Sequence, residues 1–340
     1  MLVNKMNLQL FGSVTPVDPI NNNTHISANF GKLLEPGLRK IFFETYNELP
    51  EEFSKVYKVN TSNKAKETDY GLGAFGDWTK RATNLSPVSY KTLSKGLERT
   101  YTHESYTQGF MIERELYDDE QYSQISKFPK AMARSGRASV EKNAFSLFKS
   151  GFTTNGYDGK PLFATDHPLL DSENKGCNLI TGVLNRENLQ KALKMMREIP
   201  DEAGNLVQFK ADTLIVPPAL EDTARRILHS TLVSGTELND TNEYLTRQDI
   251  KIVVCDYLGE VAGGSDTAWF LQDSKRHELN FFWRKKFEFK WEEDFDTFVS
   301  KYRGYCRYSF GYSDWRGIIG SKGEGVGTGV GSVASSRAKK

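Results

Sequence analysis

The sequence predicts an α+β fold with long appendages, on three observations. From Pro129 to about Ser150, Met132, Val140, Ala144, Phe145 and Phe148 give one apolar side to a helical stretch. Leu279 to Trp291 and Asp296 to Tyr312 alternate aromatic with charged residues and read as a hairpin or meander. Lys64 to Glu113 is punctuated by Gly71, Gly73 and Gly76, and its second half is rich in Thr, Ser and Tyr. With few large aliphatics to bury, it reads as a long hairpin that needs a surface to lie on.

Composition narrows the function classes. The 340 residues carry 45 Lys+Arg against 44 Asp+Glu, a net charge of +1. No broad cationic field marks a general nucleic-acid binder, and no acidic excess marks a solvating chain. Cys177, Cys255 and Cys306 are far apart, and no CxxC pair offers a zinc ribbon or a redox site. The odd count suggests free thiols in a reducing compartment. No run of about 18 apolar residues exists to span a membrane, and the Leu8–Phe11 patch is too short for a signal peptide.

In chain order, residues 1–30 show no helical period and read as an arm. Leu33, Leu34, Leu38, Ile41, Phe42, Tyr46 and Leu49 predict an amphipathic helix within Phe30 to Phe53, stopped near Pro50. Trp78, Lys80 and Arg81 fall near the expected tip of the hairpin. Leu116 to Ile125 is a short helix with Asp118, Asp119 and Glu120 in its first turns, where the helix dipole favours anions. The helix opening at Pro129, at about 22 residues and 1.5 Å each, is a rod of about 33 Å.

Tyr157 to Leu170 is expected to be a loop. Asn185 is placed to cap a helix through Leu189, Leu193, Met196 and Ile199. Thr213 to Val216 is a short buried strand stopped by Pro217 and Pro218, and a helix follows from Leu220 to Leu232. Residues 234–249 form a polar loop, Ile250 to Cys255 and Ala268 to Leu271 are strands, and Gly263-Gly264 is a turn. Gly320 to Gly331 and the terminal cations have too little apolar surface to offset ordering entropy, so mobility is expected there.

The residues that carry chemistry do not form a known constellation. The tail glycines have no GxGxxG register, and Gly31-Lys32 and Gly159-Lys160 lack the Ser or Thr of a phosphate loop. Gly311 to Trp315 resembles half a nucleophile elbow, but Trp315 stands where the second glycine belongs. Asp166 and His167 are a base and an orienter only in principle, because chain neighbours rarely hydrogen-bond in that geometry. No two of the five histidines are spaced i,i+4, so neither a metal site nor a cofactor is expected. Arg284, Lys285, Lys286 and Lys290 interleave with aromatics, but Glu288, Glu292, Glu293, Asp294 and Asp296 cancel the field, leaving a two-faced sheet. A neutral domain with an arm, a hairpin and a tail that cannot bury themselves suggests self-assembly.

Four segments in order carry a resemblance. They are Asn143-Ala144-Phe145 followed by Asp158-Gly159-Lys160-Pro161-Leu162-Phe163 and His167-Pro168; Leu214 to Pro218; Trp269 to Asp273; and Ser309-Phe310-Gly311-Tyr312-Ser313-Asp314-Trp315-Arg316-Gly317. Together they resemble the Mu-like major head subunits, a branch of tailed-phage major capsid proteins with the HK97-like capsid fold.

The resemblance implies an N-terminal arm and first helix over residues 1–55, an extended β-hairpin (E-loop) over 56–115, and a peripheral domain with a spine helix over 116–180. It further implies an axial domain over 181–265, returning peripheral strands over 266–320 and a flexible Gly-rich tail over 321–340. The implied role is a major capsid protein of a tailed phage or prophage, forming pentamers and hexamers of an icosahedral shell around double-stranded DNA. Its partners would be itself, a separate scaffolding protein, a portal, a decoration protein and weakly held DNA, with assembly in the bacterial host cytoplasm and no membrane. Trp78, Lys80, Arg81 and Tyr90 are the expected inter-subunit contacts. Two alternatives are an encapsulin-type compartment shell and, in a different class, a hydrolase using Asp166, His167 and Ser313.

Overall fold

The computed structural model describes residues 30–323, apart from 79, 81–89, 91, 114, 117–121, 171–172, 231–244, 246–247 and 295–298. The expected arm, the Asp118-Asp119-Glu120 cluster, Arg81 and the tail beyond Gly323 lie outside the described residues. The helices are α1 (Phe30–Glu48), α2 (Tyr122–Ile125), α3 (Lys127–Ser150), α4 (Arg186–Arg197) and α5 (Glu221–His229). The strands are β1 (Lys58–Thr61), β2 (Lys66–Leu72), β3 (Lys95–Thr102), β4 (Glu104–Ile112), β5 (His167–Pro168), β6 (Lys175–Gly176), β7 (Leu179–Ile180), β8 (Thr213–Val216), β9 (Lys251–Val254), β10 (Trp269–Gln272), β11 (Leu279–Glu293), β12 (Ser300–Tyr312) and β13 (Ile318–Ser321). They mix helix with mainly antiparallel sheet, the α+β class that the periodicities predict.

The chain divides into two compact units. The first comprises Met1–Glu48, Thr107–Arg134 and Glu288–Tyr305. Its α1 ends just before Pro50, and Leu38, Phe42 and Tyr46, spaced four apart, form the buried stripe. Phe42 packs 5.4 Å from Phe289, which lies 5.8 Å from Tyr302; Phe110 stacks on Tyr302 at 5.1 Å. Aromatic rings thus run through this unit's core, each bringing a large apolar area.

The second unit comprises Leu49–Tyr106, Ser135–Phe287 and Cys306–Lys340. A five-stranded sheet in the order β7-β13-β10-β8-β9 forms its centre. Every residue of β8 and β10 is buried, which accounts for the unbroken apolar run Leu214-Ile215-Val216. β8 pairs antiparallel with β10 and parallel with β9, so it is covered on both edges. Val140, Ala144, Phe145 and Phe148 of α3 are fully buried, and the Phe148 ring meets Phe270 edge-on at 5.0 Å. The valine and phenylalanine side chains each contribute about 1.5–3 kcal/mol by leaving water. Asn185 caps α4 through Asn188 N, and Leu189, Ala192, Leu193 and Met196 face inward. A second sheet is ordered β1-β11-β12-β4, with β1 parallel to β11.

Four expectations need correction. The paired hairpin is β2 with β3 only; Glu104–Ile112 joins the β1-β11-β12-β4 sheet instead of continuing the hairpin to Glu113. Its Tyr106 finds a stacking partner, Tyr308, at 4.6 Å. The expected mobile tail begins too early: Gly320 and Ser321 lie in buried β13, and a Cβ at Gly320 would press on the Phe163 ring. The loop Tyr157 to Leu170 ends in a strand pair, β5 with β6. The helix after the proline pair stops at His229, and Pro218–Leu220 form a 3-10 turn before it. Of the helix expected over Leu116 to Ile125, Leu116 and Tyr122–Ile125 are helical, and residues 117–121 lie outside the described residues.

Candidate functional site

Four of the motif residues, Asp158, Gly159, His167 and Trp315, meet in one buried nest of the second unit. A turn with Gly159 at φ +75° brings Asp158 back toward the strand pair; that left-handed conformation suits glycine. His167, fully buried, donates from Nδ1 to Asp158 Oδ2 at 2.6 Å. Its Nε2 lies 3.1 Å from Asn178 Oδ1. The Asn178 amide is fixed by donations to the Leu162 carbonyl at 2.7 Å and the Trp315 carbonyl at 3.2 Å, so its oxygen must face the ring. The same oxygen accepts from Ala164 N at 2.9 Å. Trp315 lies on the His167 ring, and Gly176 lets it approach, since a Cβ there would overlap the indole. Phe163 packs beside the nest against Phe270 at 5.2 Å.

Arg316 forms a second cluster. Its Nε donates to the Pro200 carbonyl at 2.8 Å, and its Nη1 to Glu202 at 2.9 Å and Asp314 at 3.1 Å. Both carboxylates hold the guanidinium pKa up against burial, which alone would lower it. Ser309 Oγ pairs with His103 Nδ1 at 2.9 Å, and His103 Nε2 lies 3.2 Å from Ser62 Oγ. Burial, and then the nearby Arg307, lower the His103 pKa. Gly311 leaves room for the Tyr101 ring, whose hydroxyl meets Ser313 Oγ at 2.5 Å. Pro217 and Pro218 end β8 and start the turn into α5.

These contacts do not assemble the hydrolase constellation. Asp166 pairs with Lys160, both ring nitrogens of His167 face acceptors on Asp158 and Asn178, and Ser313 is held by Tyr101 and Asn280. No hydrogen bond joins the three among the described residues. Their chemistry is that of fixed, buried cross-links between distant segments. Among the described residues, no group of His, Cys, Asp and Glu is arranged to hold a metal ion. No described helix is long and apolar enough to cross a membrane.

Of the expected contact residues, Trp78, Lys80 and Tyr90 lie in the segment that joins β2 to β3, and Arg81 lies outside the described residues. Trp78 is 98% exposed and Tyr90 92%, and Lys80 is exposed. Tyr70, Leu72, Phe75 and Leu97 add exposed apolar surface to the same appendage.

Sequence reasoning missed Asn178, His103 and Glu141. Glu141 takes the N–H of Glu52 and of Phe53 at 3.0 Å each, tying α3 to the chain ahead of β1. Single polar residues give no periodic signal, and their partners lie far away in the chain.

The comparisons with known proteins agree with this architecture. The sequence model of the family described as phage capsid protein matches residues 97–321, more than half of the chain. A Mu-like prophage major head subunit of Haemophilus influenzae is 20% identical over 313 residues, covering 69% of this chain and 99% of that protein. The major capsid protein of Escherichia phage Mu is 20% identical over 308 residues, covering 67% and 97%. Among solved structures, the bacteriophage JBD30 capsid superposes with a TM-score of 0.50 at 15% identity, over 62% of this chain and 92% of that one, which is a likeness of fold. The chain belongs to the phage capsid protein family, has its HK97-like fold, and is a structural protein of the virion shell.

Proposed function

We propose that the chain is the major head subunit of a tailed phage or prophage, assembling into pentamers and hexamers of an icosahedral shell around double-stranded DNA. The observation that carries this reading is the exposed apolar hairpin on a member of the capsid family. Trp78 and Tyr90 stand almost wholly in water, with Leu72 and Phe75 on the same appendage. An apolar surface of this kind marks an interaction site, and in a shell its occupants are other copies. Trp78, Lys80, Arg81 and Tyr90 are the proposed contacts. The near-equality of 45 cations and 44 anions supports a wall that grips DNA weakly. A separate scaffold, a portal and a decoration protein complete the proposed set of partners, with assembly in the host cytoplasm.

The test is assembly of the purified full chain, followed by light scattering and negative-stain microscopy. Closed particles of uniform size are expected. A chain that stays a small oligomer at every concentration and salt tried would sink the reading.

A further inference from the structure

Two arginines of the second unit face one another across neighbouring strands, with no counter-ion among the described residues. On the covered side of β11 and β12, Trp283 lies 5.3 Å and Phe281 5.2 Å from Tyr308. Side chains alternate along a strand, so Arg284 and Arg307 emerge together on the opposite side. Both are partly exposed. Arg307 spends one N–H on the His103 carbonyl at 3.3 Å, and the buried Nε of Arg284 has no partner among the described residues. No described carboxylate forms an ion pair with either. Glu67, whose charge also reaches His103, is taken by the Ser62 hydroxyl and by Lys64 at 3.0 Å.

The neighbouring His103 supplies no negative charge. Its two ring nitrogens are held by Ser62 and Ser309, and both arginines act on it to favour the neutral ring. Like charges opposed across a strand pair destabilise it. A guanidinium fork matches a carboxylate with two parallel hydrogen bonds. The pair therefore offers a receptor for one oxyanion.

We infer that Arg284 and Arg307 form a clamp for an acidic side chain of a second copy of this chain. The inference rests on the shell reading above and deepens it. A single carboxylate suits the site better than a nucleic-acid backbone. The aromatic rings that would stack bases, Trp283 and Tyr308, are buried, and Glu288, Glu292 and Glu293 follow in the same strand. With 45 cations and 44 anions in each copy, a cation unpaired within one subunit has its natural complement in another.

The experiment compares the full-length chain with R284Q/R307Q. Unassembled subunits of the double variant are expected to melt at or above the wild-type temperature, because a like-charge contact is gone. The subunit concentration at half-assembly is expected to rise at least about ten-fold, with a weaker dependence on salt. Assembly at the wild-type concentration overturns the clamp. So does normal assembly with lost binding of a labelled DNA duplex, which would assign the pair to phosphate. Should the double variant not fold, R284K keeps the charge but not the fork, and must itself raise the half-assembly concentration several-fold. If the wild type forms no shell, the shell reading fails on its own. The clamp is then overturned if R284Q/R307Q leaves the small oligomers as stable as before.

Discussion

The His167 imidazole lies flat on the Trp315 indole, with ring centroids 4.4 Å apart and planes 4° apart. The two come from distant segments, and each is also tied to Asn178, one through its ring and one through its carbonyl. The contact closes the turn at Gly159 onto the strand end at β13, so the nest is a fastening of the fold.

Trp315→Ala removes the lid of this nest. Trp315 is almost fully buried, and Gly176 and His167 are shaped around it. A loss of about 3–5 kcal/mol is expected, as for other large aromatic truncations in cores. Urea unfolding of the unassembled subunit measures it. A loss below about 1 kcal/mol would show that the indole is not part of the fold's support.

Arg316→Met breaks the neighbouring cluster. The guanidinium is buried and serves Pro200, Glu202 and Asp314, while Glu202 also takes the N–H of Leu170 at 2.8 Å. Removing one member of a buried pair leaves its partners uncompensated and costs about 3–5 kcal/mol. Glu202 and Asp314 retain some contact with water, which places the expected loss at the lower end. Adding Glu202→Gln to Arg316→Met is expected to cost less than the sum of the single changes. Strict additivity in a double-mutant cycle would contradict the coupling.

Glu141 gives the subunit a pH dependence near neutrality. Burial pushes its pKa up to about 7, and the nearby Glu52 carboxylate adds to this. The N–H groups of Glu52 and Phe53, with Arg137, pull the other way and do not cancel it. In the unfolded chain a Glu titrates near about 4.3. A folded pKa above the unfolded one means that this group's contribution is full at acid pH and is lost as pH rises through about 7. Stability is therefore expected to fall between about pH 4 and pH 7 on account of Glu141. Glu141→Gln is expected to be less stable throughout, since an amide cannot accept both N–H groups, but to have a flatter profile. Equal slopes for wild type and variant in urea unfolding at several pH values would remove Glu141 as the cause.

The fold was legible wherever a period runs through the residues. The apolar stripe of α3, the Asn185 cap of α4 and the strand Thr213–Val216 follow from local patterns that tertiary contacts did not override. β1 and β13 were not legible, because Lys58–Thr61 and Ile318–Ser321 are four residues each and are strands only through their neighbours. The nest was half legible. Asp158, His167 and Trp315 stood out as motif residues, but their mutual contacts depend on a chain reversal that no spacing reveals. In the sequence the carboxylate beside His167 is Asp166, whereas its bonded carboxylate is Asp158, nine residues away.

Trp78 separates folding from assembly. At 98% exposure its side chain has almost nothing to lose within the subunit, so Trp78→Ala is expected to change stability by less than about 0.5 kcal/mol. In a shell the same indole has a large apolar area to bury, and aromatic anchors of this kind are worth about 2 kcal/mol or more at an interface. The substitution is therefore expected to raise the concentration at half-assembly by about 30-fold. Tyr90→Ala, at 92% exposure, should act in the same direction. Subunit melting checks the first half, and light scattering across a concentration series checks the second. Unchanged assembly in both variants would mean that these hairpin aromatics are not where neighbouring subunits are held.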